Sequence, residues 1–505
     1  MRRRDALLLL AAAPALPPFL VAPLAARAES LPRQAAASWP AALRLAERVR
    51  ALDADGLDPA AYGLPTEAAI ATDPQAAYSA IFRAAAAGMS DLLHGRVRVP
   101  PAGRVDIARD TAAVPLAPWI DQLAQAAEPA EVMERAALAS PDTLPLRAAL
   151  AEARAVVDRG GWASIPGTAT IEPGSFDPVR IPALRARLQA EDPILAATPD
   201  EGASYGPNLL AAVRRWQAAR GFEVDGRVGR ISLTALNRPA EWRMNQLLAA
   251  MDMRRAAAAR PSGRHIAVNI PDFHFKLFEG GQVALEMAVI VGRPGRPTPM
   301  LNATMTAVQF NPPWGVPMRN AREDLLPRLR RNPAAVAAQG FHFFRSVAGE
   351  MVEIDPTTVA WSAVDPQHFP YIIRQEAGDS SALGRIKFIM PNRDDIYLHD
   401  TPDRHYFNRP DRAFSSGCIR LARPLDLLAI ALEGTPGWDR DRAIRAIDSR
   451  ATSVTSLHRP IPVRLHYNTV VVEHGRVRMR PDIYGLDQAY AALLAAAPPR
   501  LASRG

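Results

Sequence analysis

The sequence predicts an α+β chain of several domains, helical in its first half and mainly β in its second. Three observations predict this. Apolar residues recur at helical spacing early on, as in Leu43, Ala46, Val49 and Leu52. From about Arg264 the period shortens to strand alternation, in residues 265–270 (HIAVNI), 273–278 (FHFKLF) and 285–291 (LEMAVIV). A chain of 505 residues, 48% of them hydrophobic, is also too long for one core and implies about three domains.

Residues 1–28 read as a signal peptide. Arg2, Arg3 and Arg4 form a positive start, an apolar run extends from Ala6 to about Leu24, and Ala26-Arg27-Ala28 is a small-x-small cleavage site. A retained membrane anchor is the alternative, but Pro14, Pro17, Pro18 and Pro23 make a poor spanning helix. The expected destination is the periplasm, reached by the general route or, given the paired arginines, the twin-arginine one. No later apolar run approaches the roughly 20 residues of a membrane span.

Residues 29–178 read as an Ala-rich helical scaffold, with further stripes in 78–93 and 144–157; nothing in it suggests chemistry. Residues 179–240 form a second unit of three short helices: 181–189, 208–220 and one ending at Leu236 that Ser232 is expected to cap. A linker helix is expected over 241–263, a β domain over 264–485, and a C-terminal tail over 486–505. Within the β domain, 315–383 is an insertion with helix-like 321–331 and an aromatic patch at 341–344, and it reads as a cap. Ordinary surface elaboration is the alternative. Residues 424–432 read as helix, and 462–472 with 477–479 as strands closing the β core.

The single cysteine is Cys418, in Ser415-Ser416-Gly417-Cys418-Ile419-Arg420. One cysteine in an exported chain cannot make an internal disulfide, so the thiol needs another explanation. A thiol of ordinary pKa needs a proton acceptor to act as nucleophile. His399 follows the apolar Ile396-Tyr397-Leu398 and so falls at a strand end; His405 lies in a charge-rich loop. Asp400 and Asp403 are the nearest carboxylates to orient the imidazole, with a backbone carbonyl as the other choice. Backbone N–H groups of Gly417 and Cys418 could face an oxyanion, and Arg420 a substrate carboxylate. One Cys with scattered His gives no zinc spacing. The formal charge of +8 suits an acidic partner; for an exported chain that is an anionic surface polymer rather than nucleic acid.

The stretch from His399 to Arg420 resembles the signature of the L,D-transpeptidases, the YkuD-type catalytic domain. So do Ile290-Val291-Gly292-Arg293-Pro294 with Thr298-Pro299, the Phe310-Asn311-Pro312-Pro313-Trp314 turn, and Asp482-Ile483-Tyr484-Gly485. The order of segments is similar to that of the large periplasmic subgroup, and residues 179–240 resemble a small peptidoglycan-binding domain, which would bind glycan or only brace its neighbours. After Trp314 and at Tyr467-Asn468-Thr469 the chain departs from the subgroup's pattern.

The resemblance implies a YkuD-like β-sandwich with a helical capping insertion. It implies Cys418 as nucleophile, His399 as base, the Asp400 carbonyl as its orienter and Gly417 as an oxyanion amide. Arg420 would be a substrate-side or structural arginine, and Ser415, Ser416, Tyr397 and Trp314 fall on the substrate side. No metal or cofactor is implied. The expected activity is 3→3 cross-linking of peptidoglycan stems through a thioester, by a monomer acting on stem peptides and glycan strands and acylated by carbapenems. An L,D-carboxypeptidase or a protein-to-wall ligase would share that thioester. A wall-binding scaffold without catalysis is the rival of another class.

Overall fold

The computed structural model describes residues 37–257 and 262–500, so the expected signal segment lies outside the described residues. Contacts divide the chain into two compact units. Among the described residues the first comprises 37–96, 111–141 and 498–500. Here α1 (Trp39–Arg50) starts at Ser38, whose hydroxyl accepts from the Ala41 amide, and Pro40 sits in the first turn where no donor is missed. Its buried stripe of Ala41, Ala42, Leu45, Ala46 and Val49 packs against α2 (Pro74–His94) and α4 (Pro129–Leu138), with α3 (Ala117–Gln125) beside them. Each large apolar side chain buried there contributes about 1.5–3 kcal/mol, which is what holds a polar-faced helix in place.

The second unit comprises residues 97–110 and 142–497. The stretch read as one scaffold over 29–178 therefore divides. Helix α5 (Thr143–Asp158) packs through Leu146, Leu150 and Ala153 on α9 (Ala240–Arg254), not on the first four helices. Between them α6 (Arg180–Gln189), α7 (Pro207–Ala219) and α8 (Arg230–Leu236) share a core that includes Ile181, Leu184, Leu209, Val213, Trp216 and Leu236. Gln217 fixes the loop after α7, donating to Asp225 and accepting from the Gly226 amide. Ser232 does not cap α8: Gly229 holds the cap position, and Ser232 is buried inside the first turn.

The β domain is one mixed sheet of nine strands: β1 (His265–Asn269), β2 (His274–Glu279), β3 (Gln282–Gly292), β4 (Leu301–Phe310), β8 (Ile386–Ile389), β9 (Leu398–His399), β10 (Ala413–Ser415), β11 (Ile419–Leu421) and β12 (Ser453–His466). The order is β10-β3-β11-β9-β8-β4-β12-β1-β2, and β2 also pairs with β3. The sheet thus closes on itself, where a YkuD-like β-sandwich was expected. Its cause is the length of β3, whose first part pairs with β2 and whose last residues turn to β11 and β10. The interior is filled by Ile266, Phe275, Val289, Val308, Phe388, Leu398, Ile419 and Leu465, with α11 (Pro424–Leu432) packed against it through Leu427 and Leu428.

The insertion between β4 and β8 has its own small core, built on Leu325, Leu326, Leu329, Phe343, Trp361 and Ile373. It is not purely helical, as was expected. Alongside α10 (Leu326–Arg331) it forms a four-stranded sheet from Trp314-Gly315, β7 (Tyr371–Gln375), β5 (Phe341–Val347) and β6 (Glu350–Ile354). The aromatic patch is the start of β5. Ala348 at φ 49° and Gly349 at φ 90° then make a two-residue turn of the hand that suits a twisted hairpin.

At the C-terminus only part of the predicted closure holds. Residues to His466 belong to β12, but β13 (Val470–Glu473) and β14 (Arg476–Met479) form a separate hairpin whose apolar face meets α5 and α9. The expected tail contains a helix, α13 (Leu486–Ala496), in which Tyr490 is fully buried and hydrogen-bonded to Asp252 of α9.

Candidate active site

Strands β9 and β11 run parallel, with Leu398 opposite Ile419 and His399 opposite Arg420. Leu398 and Ile419 are fully buried and point into the core. Side chains alternate across a strand, so Tyr397 and His399 emerge on the other face, together with Cys418 and Arg420. On the far side β8 places Lys387 opposite His399 and Phe388 in the core, adding an ammonium to the same face. Neighbouring strands lie about 4.8 Å apart, so these five side chains share one small patch.

His399 is buried, and its Nδ1 lies 2.5 Å from the Asp400 carbonyl. That oxygen can only accept, so Nδ1 carries the proton, and the Leu383 backbone also bonds the ring. Burial, with the Arg420 and Lys387 charges acting the same way, pushes the imidazole down to about 3. The Asp400 carboxylate is engaged elsewhere, accepting from the Thr401 and Arg385 amides and from Arg404. Asp403 pairs with Arg420 at 2.9 Å.

Cys418 is the one free cysteine, half-buried. Burial pushes its thiol above the usual range, opposed by the Tyr397 amide and hydroxyl and by Lys387. Its sulfur also lies 3.8 Å from the Asp395 carbonyl. Tyr397 stands at the centre of the patch. Its ring meets His399 edge-on at 5.6 Å, Lys387 Nζ sits 3.9 Å from its centroid, and its hydroxyl bonds both the thiol and the Trp314 indole. Trp314 is thereby tied to the thiol through one hydroxyl.

The turn before the thiol is held from behind. Gly417 adopts φ 126°, which a residue with a Cβ rarely reaches. Its carbonyl accepts from Thr298 Oγ1 at 2.7 Å, and Thr298 receives the Gly292 amide. Tyr484 closes the set, accepting from the Thr298 amide and donating to the Gly292 carbonyl. The Gly417 amide, expected at the oxyanion, donates instead to Ser415 Oγ at 3.1 Å, and Ser415 donates to the Cys418 carbonyl. The compact turn brings that hydroxyl closer than any external acceptor. Among the described residues the Cys418 amide has no acceptor. Ser416 is exposed and receives Arg296. His405 is exposed and packs at a tilt against the Tyr406 ring.

Two residues of this site were absent from the sequence reading. Lys387 sits in Ile386-Lys387-Phe388-Ile389, where alternation marks only a non-core face; nothing local says which strand lies beside it. Arg296 is buried, and its guanidinium joins Ser416 to Asn320, Glu323 and Asp324 of the insertion. Glu323 and Asp324 fall on a stretch of wide helical turn at Ala321–Leu325, which Asn320 precedes, a local form often found where a helix serves a site.

Residues 263–438 match the family model described as the YkuD L,D-transpeptidase catalytic domain. A protein of Haemophilus influenzae (strain Rd) named "Putative L,D-transpeptidase" is 38% identical over 239 residues, which is 47% of this chain. The match spans about half of that relative, 48% of its length. Among solved structures, an L,D-transpeptidase from Mycobacterium smegmatis aligns at 15% identity and TM-score 0.20, covering 40% of this chain and 58% of that one. One from Xylanimonas cellulosilytica aligns at 14% identity and TM-score 0.19, covering 60% of this chain and 99% of that one.

Proposed function

We propose that the chain is a peptidoglycan cross-linking enzyme working through a thioester on Cys418, a reading supported by the match of residues 263–438 to the YkuD L,D-transpeptidase catalytic domain. The observation that carries this reading is the register of two parallel strands, which sets an Nδ1-anchored imidazole at the end of one and the cysteine at the start of the other, on the same face. In a donor stem the thiol adds to the carbonyl of the L-centre of a diamino acid, and its proton passes to His399 Nε2. The tetrahedral oxyanion takes the unused Cys418 amide; the Gly417 amide reaches it only by releasing Ser415. Collapse breaks the amide bond, His399 returns the proton to the leaving D-alanine amine, and the acyl group stays on sulfur. The side-chain amine of a second stem then attacks the thioester and gives a 3→3 cross-link.

With the imidazole held down and the thiol held up, the resting pair is neutral rather than an ion pair. Proton transfer therefore accompanies attack. Residues 315–383 act in this reading as a cap positioned by Trp314 and Arg296, and the chain works in the periplasm, as a monomer open to carbapenem acylation. The α6–α8 unit brings the glycan. Intact mass after incubation with donor stem tests the thioester: Cys418 gains the acyl mass, Cys418→Ala does not, and acceptor stem discharges it into dimer. Cross-links formed by Cys418→Ala would refute the reading, and discharge to water alone would make the protein a carboxypeptidase.

A further inference from the structure

The second unit holds a cavity of about 510 Å³ between α8, α9, the β1–β2 turn and the β13–β14 hairpin. It is the size of a ligand pocket. Eight arginines line it against three carboxylates, and it contains no lysine. Glu191 takes Arg187, Arg220 and Arg243 together, and Asp272 takes Arg480. Arg478 pairs with Glu473, which leaves Arg230, Arg238 and Arg412 without an ion pair, although Asp272 and Asp411 lie near Arg412. Arg230 and Arg238 make no side-chain hydrogen bond or ion pair among the described residues, and Arg238 lies over the Trp242 ring at 4.7 Å. Arg412 reaches only the Arg409 and Phe273 carbonyls. Three buried donors of the lining, Trp242 Nε1, Arg243 Nε and Arg412 Nε, find no acceptor. Burial lowers Arg187, Arg220, Arg238 and Arg412 alike, and neighbouring guanidinium groups add to it at Arg187 and Arg220.

We propose that this cavity is a second binding site for the wall polymer, apart from the thiol, taking a carboxylate-bearing stem peptide through its guanidinium forks. Planar guanidinium groups match a carboxylate two bonds at a time, and the indole faces suit the carbon skeleton that bears it. The identity of the polymer rests on the proposed function; the demand for an oxyanion rests on the cavity alone. The wall also holds Arg412 and Ala413, the latter opening β10, which runs into the Ser415–Cys418 turn. A stem held here therefore presents its strand next to the catalytic turn.

Titration calorimetry of the full chain with a disaccharide-tetrapeptide tests the idea. Two equivalents are expected for the native chain and one for the Arg230→Gln/Arg238→Gln double variant. A stem with amidated carboxyls should fill only the site at the thiol. Thr234→Glu, an exposed lining position, should also lose one equivalent. Acyl mass on Cys418 is measured in parallel: if it fails to form while one equivalent is still lost, the catalytic reading falls and the cavity stands. Equal stoichiometry in native and variant chains would overturn the proposal. So would equal binding of the amidated stem, or a cavity that takes inorganic phosphate and no stem.

Discussion

Replacing His399 with glutamine should remove one defined source of acid lability from the β domain. Folding carries this imidazole from its ordinary 6.5 down to about 3, because burial disfavours the cation and Arg420 and Lys387 repel it. The unfolded chain therefore takes the proton first as pH falls. Stability from this group is complete above 6.5 and drains away down to about 3. Between pH 7 and pH 5 the unfolded side chain becomes protonated and the folded one does not, over about 1.5 pH units. At about 1.36 kcal/mol per unit this is about 2 kcal/mol. Urea unfolding at the two pH values, followed by circular dichroism, should show that loss in the native chain and not in His399→Gln. Nitrogen NMR of the ring should keep Nδ1 protonated and Nε2 bare down to pH 5. An equal pH penalty in both chains, or a ring that titrates near 6.5, would refute the account of a resting neutral pair.

Lys387→Met removes a cation that lowers the thiol pKa, so alkylation of Cys418 at pH 7 should slow, by up to about tenfold for one pKa unit. An unchanged rate would remove the ammonium from the site. Arg296→Ala leaves Glu323, Asp324 and Ser416 without their shared donor; turnover of stems should fall while small-reagent alkylation of the thiol persists. Glu191→Ala strands Arg187, Arg220 and Arg243 together; the loss should be about 3–5 kcal/mol, read as a lower urea midpoint. Gly417→Ala strains a backbone at φ 126° by about 1–3 kcal/mol, and acyl transfer should suffer more than alkylation, since the turn rather than the sulfur is displaced.

Much of the β domain could be read from the chain because its strands alternate cleanly. His399 was findable because Ile396 and Leu398 mark a strand that ends there, and Cys418 because small residues precede it. Lys387 was not, since only the register of β8 on β9 brings it to His399, and register is a property of two segments. Arg296 lies in a Gly- and Pro-rich loop where a charged side chain reads as solvated; four partners from two distant segments bury it. The hairpin of β5 and β6 was masked by Ala348, which gives no turn signal of its own yet sits at positive φ. The α13 helix was missed because an Ala-rich C-terminal run gives no sign that Tyr490 will find Asp252.

Strand β12 lies between β4 and β1, pairing Ile266 with Val463 and Phe310 with Ser453. The middle of the sheet is thus supplied by some of the last residues of the chain. Contacts so distant in sequence form late, after the entropy of closing long loops has been met. An emerging chain that already displays Cys418 and His399 still lacks the strand that joins the two sides of the sheet. A chain ending between Cys418 and Ser453 carries the thiol without that strand, so premature termination there yields an inert fragment.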